Sequence, residues 1–477
     1  MKKFTFLLLY SLFFSLCSVQ AQQIQWASKL IKFSTDLGGK QNGIKRILGK
    51  PDAFPQGGSS ANAWMPKNAL DGKEVIEVGF EKPQLVKQVA VCENLNAGCV
   101  VKISVDNGSG NYETVWTRKR DWRTPTFKST ATADHAYYFG RKRRKVQEVP
   151  NVFNPGIEYA ILENAVANVV AVKVEFSFAL IPGQKQIDAI GISDSEAPIE
   201  IKINSNSAFE NLPNPESLEF ENSEVSNVIV SQDGQKIFYS AFANNKDVVF
   251  SSKKQTDGKW AKPAVAEPGL SLNDEYNYLE YCSDNFILKG GVEYTKNTTE
   301  TGFEFFENKN GSYQSLKSLK IAAYNNYDKT ADLTMTNDAK ILIMGIETDF
   351  TQGGTDLYFA NRKEDGTYGL LQNMGKVINS AADEGMPQLL SDTKTLIFSS
   401  IGFSSYGNYD IYVSYRLDDS WKKWSEPINL GNKINSDSFE GSPFYDETTE
   451  MLYFTRLIEG KSTIARVKIP KSTMMKN

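Results

Sequence analysis

The feature that most constrains this chain is a period. Between residues 204 and 473 one pattern returns every 52 to 56 residues. Its first part is a polar turn leading into an apolar strand: Ser231-Gln-Asp233-Gly before Ile237, Ser283-Asp284 before Ile287, Thr336-Asn-Asp338 before Ile341, Ser391-Asp392 before Leu396, and Tyr445-Asp446 before Met451. The Asp caps the turn through its own backbone and tolerates unusual dihedrals. A second apolar strand follows, beginning at Asp247, Gly302, Asp356, Asp410 and Ser462. A third marker is aromatic: Trp260, Tyr313, Tyr368, and Trp421 with Trp424. A fourth is acidic: Glu221, Asp274-Glu275, Asp328, Asp383-Glu384 and Glu440. Each repeat therefore holds four short strands between polar turns, which is the plan of a β-propeller blade. The last repeat, 441–473, has room for about three strands, and Pro198 to Asn204 are expected to supply the missing outer one. Closure from both termini gives five blades; six would need one further repeat.

Repeat four carries the pattern most fully, from Ser391 to Ser400, then Gly407-Asn-Tyr-Asp-Ile-Tyr-Val-Ser, then Trp424-Ser-Glu-Pro-Ile-Asn-Leu-Gly and Ile434-Asn-Ser. It resembles the TolB-type, WD-like propeller repeats of bacterial envelope proteins, in particular those of OmpA-family and type IX secretion-associated proteins of Bacteroidota. The resemblance implies an envelope setting and a protein-docking role for residues 198–477. Repeat two departs from it, because Ile287-Leu-Lys-Gly-Gly lacks the usual aromatic. No OmpA-type peptidoglycan-binding domain follows the repeats, so direct cell-wall anchoring is not expected.

Residues 1–21 read as a secretory signal. Lys2 and Lys3 form a basic start, Phe4 to Leu16 is an apolar run too short to span a bilayer comfortably, and Val19-Gln-Ala21 offers small residues for cleavage before Gln22. Lipidation at Cys17 is the alternative, although Leu16 is the wrong size for it. No later apolar run is long enough for a membrane-spanning helix, so an exported protein, periplasmic or outer-membrane-associated, is expected. Without the leader there are 51 basic against 57 acidic side chains, a balance of −6, which argues against nucleic acid as a partner. At roughly 150 residues per domain, the 477-residue chain is long enough for two or three domains.

Residues 22–197 lack the repeat. Alternating segments at 75–80, 85–91, 100–105, 112–116 and 169–176 predict half-buried antiparallel strands, and long helical patterns are missing. The whole chain is thus expected to be all-β: an N-terminal β-sandwich followed by a five-bladed propeller. The sandwich resembles the discoidin or galactose-binding jelly-roll family, through Trp64, Ile76-Glu-Val-Gly-Phe with Pro83, Val89 to Gly98 including Glu93-Asn94, and Gly183 with Ile187-Asp-Ala-Ile-Gly. That resemblance implies recognition of a glycan, lipid or protein at loops on one end, and makes Trp64, Glu93 and Asn94 candidate ligand contacts.

Within this region 117–150 is a basic insertion with interleaved aromatics, including Arg118, Trp122, Tyr137, Tyr138, Arg141, Arg143 and Arg144. It can grip an anionic glycan, a headgroup or an acidic partner, or it can be a solvated loop. Cys92 and Cys99 flank a turn and are a candidate disulfide, with two half-buried thiols as the alternative. Cys282 has no evident partner.

Catalytic motifs are weak. Gly460-Lys-Ser462 fails as a phosphate-binding loop, because Thr455 stands where the first glycine belongs. Ser391 and Lys394 have nucleophile–base spacing but fall on the repeated turn. The lone histidine, His135, sits in the basic insertion with no evident orienting partner. A glycosidase needs two carboxylates across the scissile bond. Asp274, Glu275, Asp383, Glu384 and Glu440 are candidates, yet they follow the repeat, whereas catalytic residues usually break one. Trp26 and Trp64 can stack on sugar or pack in a core. No cofactor and no metal is expected; a structural calcium is allowed by loop Asp and Asn residues but no EF-hand spacing supports it. The expectation is a non-catalytic binding or scaffold protein of the envelope, with a carbohydrate-active enzyme as the alternative.

Overall fold

The structure is a computed structural model. It describes residues 22–128, 154–218, 220, 224–243, 246–266, 269–271, 277–282, 286–290, 300–309, 312–328 and 331–476. These are nearly all β. The only α-helices among them are the single turns Ser207–Glu210 and Lys471–Met474. Among the described residues no helix is long and apolar enough to cross a membrane.

The N-terminal strands are β1 (Ile24–Trp26), β2 (Lys29–Phe33), β3 (Lys73–Glu93), β4 (Val100–Asp106), β5 (Glu113–Thr117), β6 (Gly156–Ser177) and β7 (Ala189–Ser193). They form one hydrogen-bonded sheet in the order β1-β7-β3-β6-β4-β5, with β2 also on β3. The segments 75–80 and 85–91 are not two strands but parts of the single long β3. Its pairing with β6 slips three times between Gly79 and Gln88. The first part of β3 pairs with β2 and the end of β6, while the last part pairs with β7 and the start of β6. Apolar positions of both parts share a core around Trp64, including Val78, Val91, Val174, Phe176 and Ile192. Burying each such side chain is worth roughly 1.5–3 kcal/mol.

The C-terminal repeats form five four-stranded antiparallel sheets, the arrangement of a five-bladed β-propeller. The innermost strands are Val225–Val230, Tyr278–Cys282, Asp332–Met335, Glu384–Leu389 and Glu440–Asp446. Each contacts the next, and the fifth contacts the first, so the ring is closed. Neighbouring blades are sealed by apolar faces. Ile343, Leu357 and Phe359 of blade three, for example, pack with Leu396, Phe398 and Tyr412 of blade four.

Closure uses both termini, but not through the expected segment. Blade five takes its outer strand from β8 (Glu216–Ser217), which pairs with Ala465 and Arg466. Pro198 to Asn204 do not serve. That stretch instead runs past the rim of blade four, where Asn429 N–H donates to Asn204 O and Asn204 Nδ2 donates to Pro427 O, each at 2.7 Å. The chain then buries Phe209 between blades four and five before reaching the gap. It must pass blade four's rim to get there, so the strand nearest in sequence to the sheet is too early to fill the gap.

The N-terminal sheet contacts one end of the propeller through loops between Lys40 and Asn62. Asn62 donates to Gly402 O at 2.6 Å and accepts from Ala381 N at 2.8 Å. Ser404 Oγ donates to Phe54 O at 2.6 Å, and Ser405 Oγ to Gln56 Oε1 at 3.0 Å. All four propeller residues lie at the end where the inner strand of blade four begins. The other end, where Ser231, Ser391 and Asp446 form the turns after the inner strands, faces away from this contact.

Candidate functional site

Two of the recurring acidic positions, Glu384 and Glu440, are buried hydrogen-bond acceptors. Glu384 is completely buried and accepts from Ser380 N at 2.8 Å, Ser380 Oγ at 2.7 Å and Ser400 Oγ at 2.8 Å. Glu440 repeats the arrangement one blade later, accepting from Ser436 N at 2.8 Å and Ser436 Oγ at 2.7 Å. A second pair of acids is built the same way. Asp356 accepts from Asn373 Nδ2 at 2.5 Å, and Asp410 from Asn429 Nδ2 at 2.6 Å. Burial pushes Glu384 and Asp410 up to about 8 and Glu440 up to about 7, against the pull of these hydrogen bonds. Glu384 and Glu440 tie the loop entering an inner strand to its blade, whereas Asp356 and Asp410 tie a third strand to the outer strand beside it. Asp383 is half-buried, accepts from Thr355 N at 2.8 Å and is raised by burial. Asp274 and Glu275 lie outside the described residues.

The N-terminal candidates are buried as well, which corrects their reading as ligand contacts. Trp64 is fully enclosed, its ring packed near Phe176 and Phe178, and a sugar cannot reach it. Glu93 accepts from Gly98 N at 3.0 Å and Cys99 N at 2.9 Å, so it caps the turn that follows it. Burial raises Glu93 to about 7. Asn94 donates to Gly58 O at 2.7 Å and Gln186 Oε1 at 2.9 Å. Trp26 packs across Gly191, where an added Cβ would lie 2.8 Å from its ring.

The candidate disulfide is not formed: Cys92 and Cys99 are free, buried thiols. Cys92 faces the small cluster of Phe54, Ile157 and Ile199, whereas Cys99 faces the main core with Val100 and Trp64. Their side chains serve different cores, and the turn between them is held by Glu93 instead. Arg141, Arg143, Arg144 and His135 lie outside the described residues. The described start of the basic stretch folds back on the sheet: the Arg118 guanidinium sits 3.7 Å above the Trp122 ring, whose Nε1 donates to Glu158 at 2.8 Å. Among the described residues no group of three or more His, Cys, Asp or Glu side chains is placed to hold a metal ion.

What the structure does bring together lies on the propeller axis. A cavity of about 270 Å³ is lined by all five inner strands, through Asn227, Glu280, Asp332, Met386 and Ser442 among others. Its mouth is formed by the turns at Gln232, Asn337, Ser391 and Glu447, on the end away from the N-terminal sheet. Four inner strands are bulged where they border it, with register slips at Asn227, Glu280, Met386 and Ser442. Asn227, Met386 and Ser442 take positive φ there, 49°, 52° and 47°. A bulge re-aims one residue away from its ladder.

Successive blades are then joined around the axis by hydrogen bonds. Asn227 Nδ2 donates to Glu280 Oε1 at 2.9 Å, Leu333 N to Glu280 Oε2 at 3.1 Å, Met386 N to Asp332 Oδ2 at 3.2 Å, and Ser442 N to Met386 Sδ at 3.2 Å. Glu280 and Asp332 are thus held carboxylates on adjacent blades, facing one cavity. Sequence reasoning missed both. A signal existed: Asn227, Glu280, Asp332, Met386 and Ser442 recur at steps of 52 to 56, one per inner strand.

No protein-family model matches the chain, and no curated protein matches it. Several solved structures are similar to part of this chain. TolB from Acinetobacter baumannii is 11% identical over 52% of this chain and 55% of its own, with a TM-score of 0.30, so the match spans about half of that protein. An α-L-arabinofuranosidase from Lactobacillus brevis is 12% identical over 51% of this chain and 91% of its own, with a TM-score of 0.35. A putative glycoside hydrolase from Bacteroides ovatus is 10% identical over 58% and 99%, also at 0.35. The five-bladed arrangement itself rests on the strand pairing described above.

Proposed function

We propose that this is an exported binding or scaffold protein of the cell envelope that docks a partner protein on its propeller. The observation that carries this reading is the fate of the repeated acids: Glu384, Glu440, Asp356 and Asp410 are consumed as buried hydrogen-bond acceptors that build the blades. The setting we propose is the periplasm or the outer membrane, after removal of residues 1–21, as in the TolB-type and OmpA-family propellers that the repeats resemble. The N-terminal region, 22–197, is proposed as a galactose-binding-like jelly roll that recognises a glycan, lipid or protein. With Trp64, Glu93 and Asn94 buried, that recognition falls to other surfaces.

A second reading is favoured by one observation. Glu280 and Asp332 are two carboxylates facing one cavity, and a glycosidase uses such a pair. One experiment separates the two. A photo-crosslinking side chain is placed in the full chain at exposed Asn337 on the propeller or at exposed Leu85 on the sheet, and cells are irradiated. Trapping of a defined envelope protein from Asn337 is the expected result. No trapped protein from the propeller, together with glycan hydrolysis abolished by Glu280→Gln, would replace docking with the enzymatic reading.

A further inference from the structure

Two axial joints between blades share a plan, and the next departs from it. Leu333 N–H donates to Glu280 Oε2 at 3.1 Å, and Met386 N–H to Asp332 Oδ2 at 3.2 Å. In both, a carboxylate oxygen of one blade receives a backbone N–H of the following blade. Between blades four and five the acceptor is a thioether. Ser442 N–H donates to Met386 Sδ at 3.2 Å, and Ser442 Oγ lies 3.6 Å from the same sulfur. Met386 is the one apolar member of the series Asn227, Glu280, Asp332, Met386 and Ser442. Thioether sulfur is a weak acceptor. Two donors therefore converge on an atom that satisfies them poorly, which leaves stabilisation unrealised.

The side chain is also placed to react. Met386 takes a φ of 52° beside a register slip, a backbone state that persists only where its surroundings enforce it. It lines the axial cavity of about 270 Å³, which has room for several water-sized molecules. Met386 is half-buried, whereas Met335, Met344, Met374 and Met474 are fully enclosed among apolar side chains. An oxygen added to sulfur in such a core is a buried polar atom that disrupts packing. Beside Ser442 the same oxygen meets two donors.

We propose that Met386 is a site of reversible oxidation by peroxide, and that its sulfoxide oxygen serves at this joint as the carboxylate oxygens of Glu280 and Asp332 serve at the two before it. The sulfur lone pair attacks one oxygen of hydrogen peroxide; the O–O bond breaks and an S–O bond forms. Sulfur is oxidised by two electrons and the peroxide is reduced. The proton on the transferred oxygen passes to the departing hydroxide, which leaves as water. Ser442 Oγ–H is near enough to donate to the departing oxygen first and to the sulfoxide oxygen afterwards. Oxidation thus tightens the joint between blades four and five and makes this part of the cavity wall polar. A methionine sulfoxide reductase reverses the change. This chemistry stands whether or not a partner docks on the propeller.

The test uses the full chain without residues 1–21, exposed to hydrogen peroxide, with the sulfoxide at each methionine followed over time by peptide mass spectrometry. Met335, Met344, Met374 and Met474 are the internal controls, because enclosed side chains react only when the fold opens. Met386 should be oxidised at least about ten-fold faster than these. The thermal midpoint is then compared before and after treatment in the native chain and in Met386→Leu. Peroxide also reaches half-buried Met65, Met451 and Met475, but in both proteins, so the difference between them isolates Met386. The expected result is a midpoint that rises by about 1–2 °C in the native chain relative to the variant, and returns after treatment with the reductase. Should Met386→Leu fail to fold, Met386→Gln takes its place: its permanent amide oxygen should raise the midpoint without peroxide and abolish any further rise. Oxidation of Met386 as slow as that of the four controls overturns the proposal. So does a relative midpoint that stays level or falls once Met386 is oxidised.

Discussion

Asn62 and Gly402 are joined by a 2.6 Å hydrogen bond that ties the N-terminal sheet to blade four. The Asn62 side chain is almost fully enclosed, and its oxygen takes the Ala381 N–H at 2.8 Å. One amide therefore satisfies a buried carbonyl and a buried N–H of the propeller. Asn62→Ala leaves both unpaired, at a cost of about 1–3 kcal/mol for each group not rescued by water. Denaturant unfolding should show that loss, whereas a change at exposed Leu85 should leave stability within about 0.5 kcal/mol.

Gly402 is itself irreplaceable by size. A Cβ there would lie 1.7 Å from Ser380 Oγ and 2.8 Å from Glu384 Oε1. Gly402→Ala must displace the serine that donates to Glu384 and the loop that meets Asn62. A loss of about 1–3 kcal/mol is expected, read as a lower thermal midpoint. Gly258→Ala is strained only by its positive φ, since nothing lies within 4 Å of the added atom, and should cost less.

Stability should depend on pH through the buried acids. Glu384 and Asp410 titrate near 8, and Glu440 and Glu93 near 7, well above ordinary carboxyls. Below about pH 4 these groups are protonated in both states and contribute no pH dependence. Between about pH 4 and 8 the folded state holds protons that the unfolded chain has released, so stability falls as pH rises. The thermal midpoint should be higher at pH 5 than at pH 8. Glu384→Gln removes one such group and should flatten the slope by up to about 1.4 kcal/mol per pH unit within that window.

Cys92 and Cys99 should behave as inert core residues. Burial drives Cys92 well above the usual thiol range and Cys99 to about 12. Only the thiolate alkylates readily. Iodoacetamide at pH 8 should leave both unmodified in the folded protein and label both after unfolding, as counted by mass spectrometry. A reductant should leave the thermal midpoint unchanged.

Blade architecture was legible in the chain because its causes are local. The Ser-x-Asp turns and alternating strands act within a few residues, so each repeat announces its own four strands. Blade three shows this: Thr336, Asp338 and Ile341 were read as turn and strand, and Thr336 Oγ1 does receive the Lys340 and Ile341 N–H groups. The polar repeat was legible too: Glu384 and Glu440 follow the period, which already argued against a catalytic pair, but the serine hydroxyls and backbone N–H groups they accept from emerge only in the folded blades.

By itself the sequence determined the strands, the turns and the five-fold period, because backbone preference and hydrophobic alternation are short-range. Tertiary structure decided which residues meet. Ring closure brings Asn227, Glu280, Asp332, Met386 and Ser442 around one axis, although neighbours in that set are more than 50 residues apart. It also decided that β8, not Pro198 to Asn204, completes blade five. Trp64, Glu93 and Asn94 became core for the same reason. Whether an aromatic or polar side chain faces water depends on what packs over it, and that is set by contacts distant in sequence.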